Sequence, residues 1–313
     1  MTASTSLAVD STVTPEVNGS RQRIRLCAAR TGFPPLLIVQ GGPGQPLLHE
    51  VAKFQRLLKS ENDFLVAYWE QRGCGDAPNV AAQRVSLSQQ VDDLRTVVRW
   101  LHAETGQRVL VMGISWGATV ALQAIANESQ SVKSIVAISA DLQTADNDAA
   151  ALAFLEEVAQ RTDRRAVRRR VMALQRPPYL ELSGFQQRTR LLVDLGTIER
   201  GKRFGGLMRE LLFDLIRSYG IAGSVRALRN MNTIQRNLLP EMAALDFFTR
   251  PPRVTVPVHY VIGNDDALTR ASAAAKLPEA LTPPNSTVLR VPDAGHMVHF
   301  DQSHLVQSLL ARA

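Results

Sequence analysis

A chain of 313 residues, 45% apolar and 21% charged, has the composition of an ordinary folded protein and is long enough to bury a sizeable core. No run approaches the roughly 18 apolar residues that a membrane span requires. Residues 1–17 carry no Lys or Arg and no apolar h-region, so the expectation is a cytoplasmic protein with no membrane partner. The net charge of +7 is concentrated in residues 149–250, where 18 Lys and Arg stand against 10 Asp and Glu, a net of +8. No nucleic-acid-binding motif accompanies that excess, and nucleic acid is not an expected partner. Two cysteines, Cys27 and Cys74, are too few for a disulfide framework and lack metal-ligand spacing, so both are read as reduced thiols.

Residues 1–15 are expected to form a flexible N-terminus. Asn18-Gly19 then lies between stretches able to alternate, and 23–27 alternates cleanly, which predicts a hairpin. The run 36–39 reads as a buried strand leading directly into Gln40-Gly41-Gly42-Pro43-Gly44. A helix over 49–60 and a strand over 64–69 follow. The next helix, through Val91, Leu94, Val97, Val98 and Leu101, has either Ser86 or Ser88 as its cap. An apolar run at 109–112 then passes into Gly113-Ile114-Ser115-Trp116-Gly117 and on into good helix formers. After a strand at 132–139 the pattern becomes helical as far as Phe248. Alternation resumes with strands at 254–262 and 286–291 and a closing helix at 304–311. Strands alternating with helices imply parallel pairing with both faces covered. The expected fold is therefore α/β, a mostly parallel central sheet flanked by helices, with core segments at 16–144 and 250–313 and an inserted helical cap at 145–249. Within that cap, Arg161, Arg164, Arg165, Arg168 and Arg169 recur at helical spacing and predict one solvated, cationic stripe.

The Gly-x-Ser-x-Gly at a strand-to-helix turn is the pattern of a nucleophile elbow, which presents the Ser115 hydroxyl beside a helix N-terminus. A serine is a nucleophile at neutral pH only with a base, and the base needs a carboxylate to hold its tautomer. Both follow later strands: Gly263-Asn264-Asp265-Asp266 after 254–262, and Ala294-Gly295-His296 after 286–291. Asp266 is favoured over its neighbour Asp265, and His296 over His299. The chain order Ser115, Asp266, His296 is the one expected of the α/β-hydrolase fold.

Together, Gln40-Gly41-Gly42-Pro43-Gly44, Gln71-Arg72-Gly73-Cys74-Gly75 and Gly113-Ile114-Ser115-Trp116-Gly117 resemble the signatures of the proline iminopeptidase (prolyl aminopeptidase) branch of α/β-hydrolases, a family of serine exopeptidases. The resemblance implies Ser115, Asp266 and His296 as a catalytic triad and an oxyanion hole from the backbone N–H groups of Gly42 and Trp116. Gln40 stands where the family's first motif begins with histidine, and the cap holds no match to the glutamates that grip a free amine.

The resulting expectation is a cofactor-free, metal-free serine hydrolase acting on an ester or amide of a small molecule or short peptide. The alternatives are a prolyl-aminopeptidase-type exopeptidase, a C–C hydrolase, acyltransferase, lyase or cyclase using the same triad, and a non-catalytic binding protein. Candidate substrate contacts are Gln40 and Gly41 in the first loop and Tyr179, Phe185, Phe204, Met208, Phe213 and Met231 in the cap.

Overall fold

The computed structural model describes residues 7–78, 85–127 and 130–313. Its ten strands are β1 (Val9–Val13), β2 (Glu16–Val17), β3 (Ser20–Arg21), β4 (Ile24–Ala28), β5 (Pro35–Val39), β6 (Leu65–Trp69), β7 (Val109–Ile114), β8 (Val132–Ile138), β9 (Val258–Gly263) and β10 (Thr287–Val291). Eight of them form one sheet in the order β1-β4-β6-β5-β7-β8-β9-β10. From β6 to β10 every pairing is parallel, while β4 joins β6, and β1 joins β4, antiparallel.

Period-two alternation divides the sheet's side chains between two cores. Leu37, Val39, Val109, Val111, Ile135 and Ala137 pack under α2 (Leu87–Thr105) and α3 (Trp116–Ala124). Leu36, Ile38, Leu110, Met112, Val136 and Ile138 pack under α1 (Val51–Leu58), α8 (Val298–Asp301) and α9 (Ser303–Leu310). Burial on both faces is the reason β5 and β7 read as unbroken apolar runs. Ser86 caps α2 by accepting from the Gln89 N–H at 3.2 Å.

Two expectations at the N-terminus change. Val9–Val13 is not a flexible arm but edge strand β1, aligned from Val9 against Ala28 to Val13 against Ile24; residues 1–6 lie outside the described part. The Asn18-Gly19 hairpin is present but minimal, pairing only β2 with β3, and β4 belongs to the main sheet.

The helical insertion between β8 and β9 consists of α4 (Thr144–Arg161), α5 (Arg165–Met172), α6 (Leu182–Asp194) and α7 (Phe204–Ala243). α7 is two helical arms meeting at Gly220, whose φ of 68° and ψ of 177° are not helical. The predicted arginine stripe is divided because α4 ends at Arg161 and α5 starts at Arg165, although all five arginines are exposed. Cap and core are tied at fixed points. The Tyr219 hydroxyl donates to buried Glu70 at 2.5 Å, Asn230 Nδ2 donates to the carbonyls of Gly75 and Ala77, and Lys53 pairs with Glu199 at 2.7 Å. Both cysteines are free and buried, and burial pushes the Cys27 thiol up to about 12.

Candidate active site

Winding reverses between β5 and β7, since β6 lies outside β5 and the chain then crosses back to β7. Such a switch point opens a crevice at the carboxyl ends of the strands. Gln40–Gly44 leaves β5 there and Ser115 leaves β7, while Asp266 and His296 follow the more distant β9 and β10.

Ser115 adopts φ 53° and ψ −120°, a conformation that costs a non-glycine residue on the order of 1–3 kcal/mol. The strain is held from both sides: the Ser115 N–H donates to the Ile138 carbonyl at 2.7 Å, and the Ala118 N–H donates to the Ser115 carbonyl at 2.9 Å. Close packing also requires the flanking glycine, because a Cβ on Gly117 would stand 2.2 Å from the Val39 carbonyl oxygen. Trp116 opens α3, so its N–H is one of the donors that have no acceptor within the helix. The Gly41 loop lies directly against the serine: a Cβ there would be 2.6 Å from the Ile114 carbonyl oxygen and 2.9 Å from the Ser115 Cβ.

His296 Nδ1 and Asp266 Oδ2 are hydrogen-bonded at 2.9 Å, with both residues only 3% exposed. Asp266 Oδ1 accepts the N–H groups of Leu268 and Thr269, and Oδ2 also accepts the Thr269 hydroxyl at 2.6 Å. Burial pushes this carboxyl up, but the attraction of His296 and the hydrogen bonds outweigh it and hold the group below the usual carboxylate range. Its ionised form therefore stabilises the fold at neutral pH, and that contribution is lost as pH falls through the lowered value. Asp265, the alternative acid, is exposed and lies 4.0 Å from Arg200. His299, the alternative base, is buried and stacked on Phe54, its Nδ1 has no partner, and burial drives its pKa well down. The histidine loop is also bonded to the cap, through His296 N–H to Thr197 O at 2.9 Å and Met297 N–H to Ile198 O at 2.8 Å.

A buried relay escaped the sequence reading. Trp116 Nε1 donates to Gln90 Oε1 at 2.8 Å, Gln90 Nε2 donates to Gln71 Oε1 at 3.1 Å, and Gln71 Nε2 donates to the Gln40 carbonyl at 2.9 Å. The Gln40 amide donates in turn to Glu50 at 2.8 Å. The relay fixes the Gln40 loop relative to the elbow helix. Gln90→Leu leaves the Trp116 N–H and the Gln71 acceptor unpaired in a dry interior, and the expected loss is about 2 kcal/mol of unfolding free energy in urea titration.

Between cap and core lies a cavity of about 670 Å³. Phe185, Phe204, Met208 and Met231 line it, with Leu211 and Leu215, while His49, Glu50, Lys53 and Glu199 give it a polar end. Ser115 and His296 do not line it. Gln45, whose amide packs on Gly42, and Met297, next to His296, do. Two cap candidates lie elsewhere. Phe213 is 66% exposed on the outer side of α7, and Tyr179 is buried beneath Arg188, whose guanidinium also covers the Phe185 ring at 4.8 Å. Arg188 pairs with Asp148 at 2.8 Å, and burial pushes the Asp148 carboxyl up to about 6 against the pull of that arginine. Among the described residues no group of three or more His, Cys, Asp or Glu is placed to hold a metal ion, and no helix is long and apolar enough to cross a membrane.

The sequence pattern of the alpha/beta hydrolase fold family matches residues 34–303. The chain belongs to the α/β-hydrolase family. A probable aminopeptidase of Bacillus subtilis (strain 168) is 22% identical to this hydrolase over 303 residues, covering 95% of this chain and 93% of the other. Among solved structures, a proline iminopeptidase of Mycobacterium smegmatis superposes with a TM-score of 0.66 at 17% identity, over 96% of this chain and 97% of that one. An esterase from Exiguobacterium antarcticum gives 0.59 at 16% identity, over 96% and 98%. At these identities the structural likeness speaks for the fold shared by this α/β-hydrolase and its neighbours.

Proposed function

We propose that this α/β-hydrolase is a serine hydrolase that cleaves a carboxylic ester or amide of a small substrate through an acyl-enzyme intermediate. The observation that carries the reading is the buried Asp266–His296 hydrogen bond at the same sheet edge as a serine held in a strained elbow. In this mechanism Ser115 attacks the carbonyl carbon as His296 takes its proton, and Asp266 stabilises the imidazolium. The N–H groups of Trp116 and Gly42 receive the developing oxyanion. His296 then protonates the leaving group and activates the water that releases the acyl group. The mainly apolar cavity, whose lining includes Gln45 beside Gly42 and Met297 next to His296, suits an apolar portion of the substrate.

The test is covalent. A fluorophosphonate is expected to label the peptide that contains Ser115 and to leave Ser115→Ala unlabelled, with both proteins equally folded by circular dichroism. An unlabelled parent protein would place it instead among proteins that keep the pocket without the chemistry.

One observation favours a second reading, an exopeptidase that recognises a free amine: the carboxylates of Glu50 and Glu199 both line the cavity's polar end, although Lys53 pairs with Glu199 there. The aminopeptidase name of the Bacillus relative points the same way. Faster turnover of amino-acid arylamides than of their N-acetylated counterparts would select it, and the reverse order would exclude it.

A further inference from the structure

The cap turns an unusual surface outward. Isolated exposed apolar side chains are ordinary, but a concentration of them is not. Of the eight large apolar side chains that are clearly exposed among the described residues, seven lie in the cap. Five of these, Leu212, Phe213, Ile216, Ile221 and Val225, stand on α7 on either side of its Gly220 kink, and Phe213 and Ile221 are 66% and 74% exposed. None of the five lines the cavity, which is faced instead by Met208, Leu211 and Leu215 of the same helix.

Charge selects what such a face fits. Arg209, Arg217, Arg226 and Arg229 are interleaved with the apolar residues and are all exposed. Residues 149–250 carry a net charge of +8, so the remainder of the chain, against a total of +7, is −1. Apposing two copies through this face would bring like charges together. A helix face that mixes large apolar side chains with arginines is the pattern that lies in the headgroup region of a membrane, with its apolar groups among the first acyl carbons. We propose that the exposed sides of the two α7 arms, on either side of Gly220, dock together on an anionic lipid surface. Docking of this kind needs no spanning helix, and it departs from the sequence expectation of no membrane partner. It also does not depend on which bond Ser115 cleaves.

The experiment is co-sedimentation of the full chain with vesicles of phosphatidylcholine alone or with about one-third phosphatidylglycerol, at low and at physiological salt. The protein is expected to pellet with the anionic vesicles, and less so as salt rises. The double variant Phe213→Ser/Ile221→Ser should lower the partition coefficient at least about tenfold, since it removes two large apolar side chains from the contact. Arg217→Gln/Arg226→Gln should lower it by a similar factor on anionic vesicles only. Thermal midpoints equal to that of the parent show that the variants are folded. Equal or absent binding to the two vesicle types would overturn the proposal, as would variants that bind like the parent. So would light scattering that shows a dimer which Phe213→Ser/Ile221→Ser dissociates.

Discussion

Replacing Asp266 by asparagine is expected to lower kcat for a short acyl p-nitrophenyl ester about 10⁴-fold while KM changes little. The hydrogen bonds around the carboxylate dictate the outcome. Oδ1 accepts two backbone N–H groups, from Leu268 and Thr269, which cannot turn to accept. The amide introduced by Asp266→Asn must therefore keep its oxygen at that position and place its NH₂ where Oδ2 lies, facing His296 Nδ1 and the rotatable Thr269 hydroxyl. His296 Nδ1 then has to accept rather than donate, which puts the ring proton on Nε2, the nitrogen that in the proposed mechanism must be bare to take the proton of Ser115. The variant should stay folded, because every polar atom at the position keeps a partner. Steady-state kinetics over a pH series checks the result; a loss below about tenfold would remove Asp266 from the role of acid.

The same residue shows how far the sequence could be read. The strand ending at Ile114 is legible because a strand buried on both faces must be continuously apolar, whereas edge strand β10, with Thr287 and Arg290 in it, is read from its β-branched residues, and the polar residues after each strand are then at the sheet's carboxyl edge. Asp265 and Asp266 are adjacent and chemically identical, and only the turn after β9 decides which one points inward. The relay from Trp116 through Gln90 and Gln71 joins residues from three elements, so no local pattern reveals it. Its signal was Gln90, a polar residue beside Val91 on the buried stripe of α2, where a glutamine needs an internal partner. β1 was missed for the opposite reason: the sequence Val-Asp-Ser-Thr-Val is mostly polar because an edge strand buries little. In the cap, the sequence pattern gives helix but neither the bounds of α7 nor its inner face, since apolar side chains occur on both of its sides. Met208 and Phe213 are equivalent by sequence, yet one lines the cavity and the other meets solvent.

Gly41 gives a second large effect, by geometry rather than by chemistry. In Gly41→Ala the new methyl would stand 2.6 Å from the Ile114 carbonyl oxygen and 2.9 Å from the Ser115 Cβ, so either the loop or the elbow must move. The elbow is fixed by the Ser115 hydrogen bond to β8, and a Cβ-free Gly117 packs it against β5. The loop is less constrained, but it is fastened behind by Gln71 to the Gln40 carbonyl, by Gln40 to Glu50, and by the Leu47 N–H to Glu70 at 2.8 Å. It is therefore expected to tilt rather than retreat as a body, turning the Gly42 N–H, the proposed oxyanion donor, away from its position. Loss of one such donor lowers kcat by about 10² to 10³, near 3 kcal/mol of transition-state stabilisation. Fluorophosphonate labelling should slow along with it, because the phosphyl oxygen uses the same donors. Gly32→Ala is the control: Gly32 has φ +81° and nothing within 4 Å of its absent Cβ, so alanine there strains the backbone far from the crevice and should reduce stability without reducing kcat. Equal kcat values for the two variants would mean that the Gly41–Gly42 loop plays no part in holding the oxyanion.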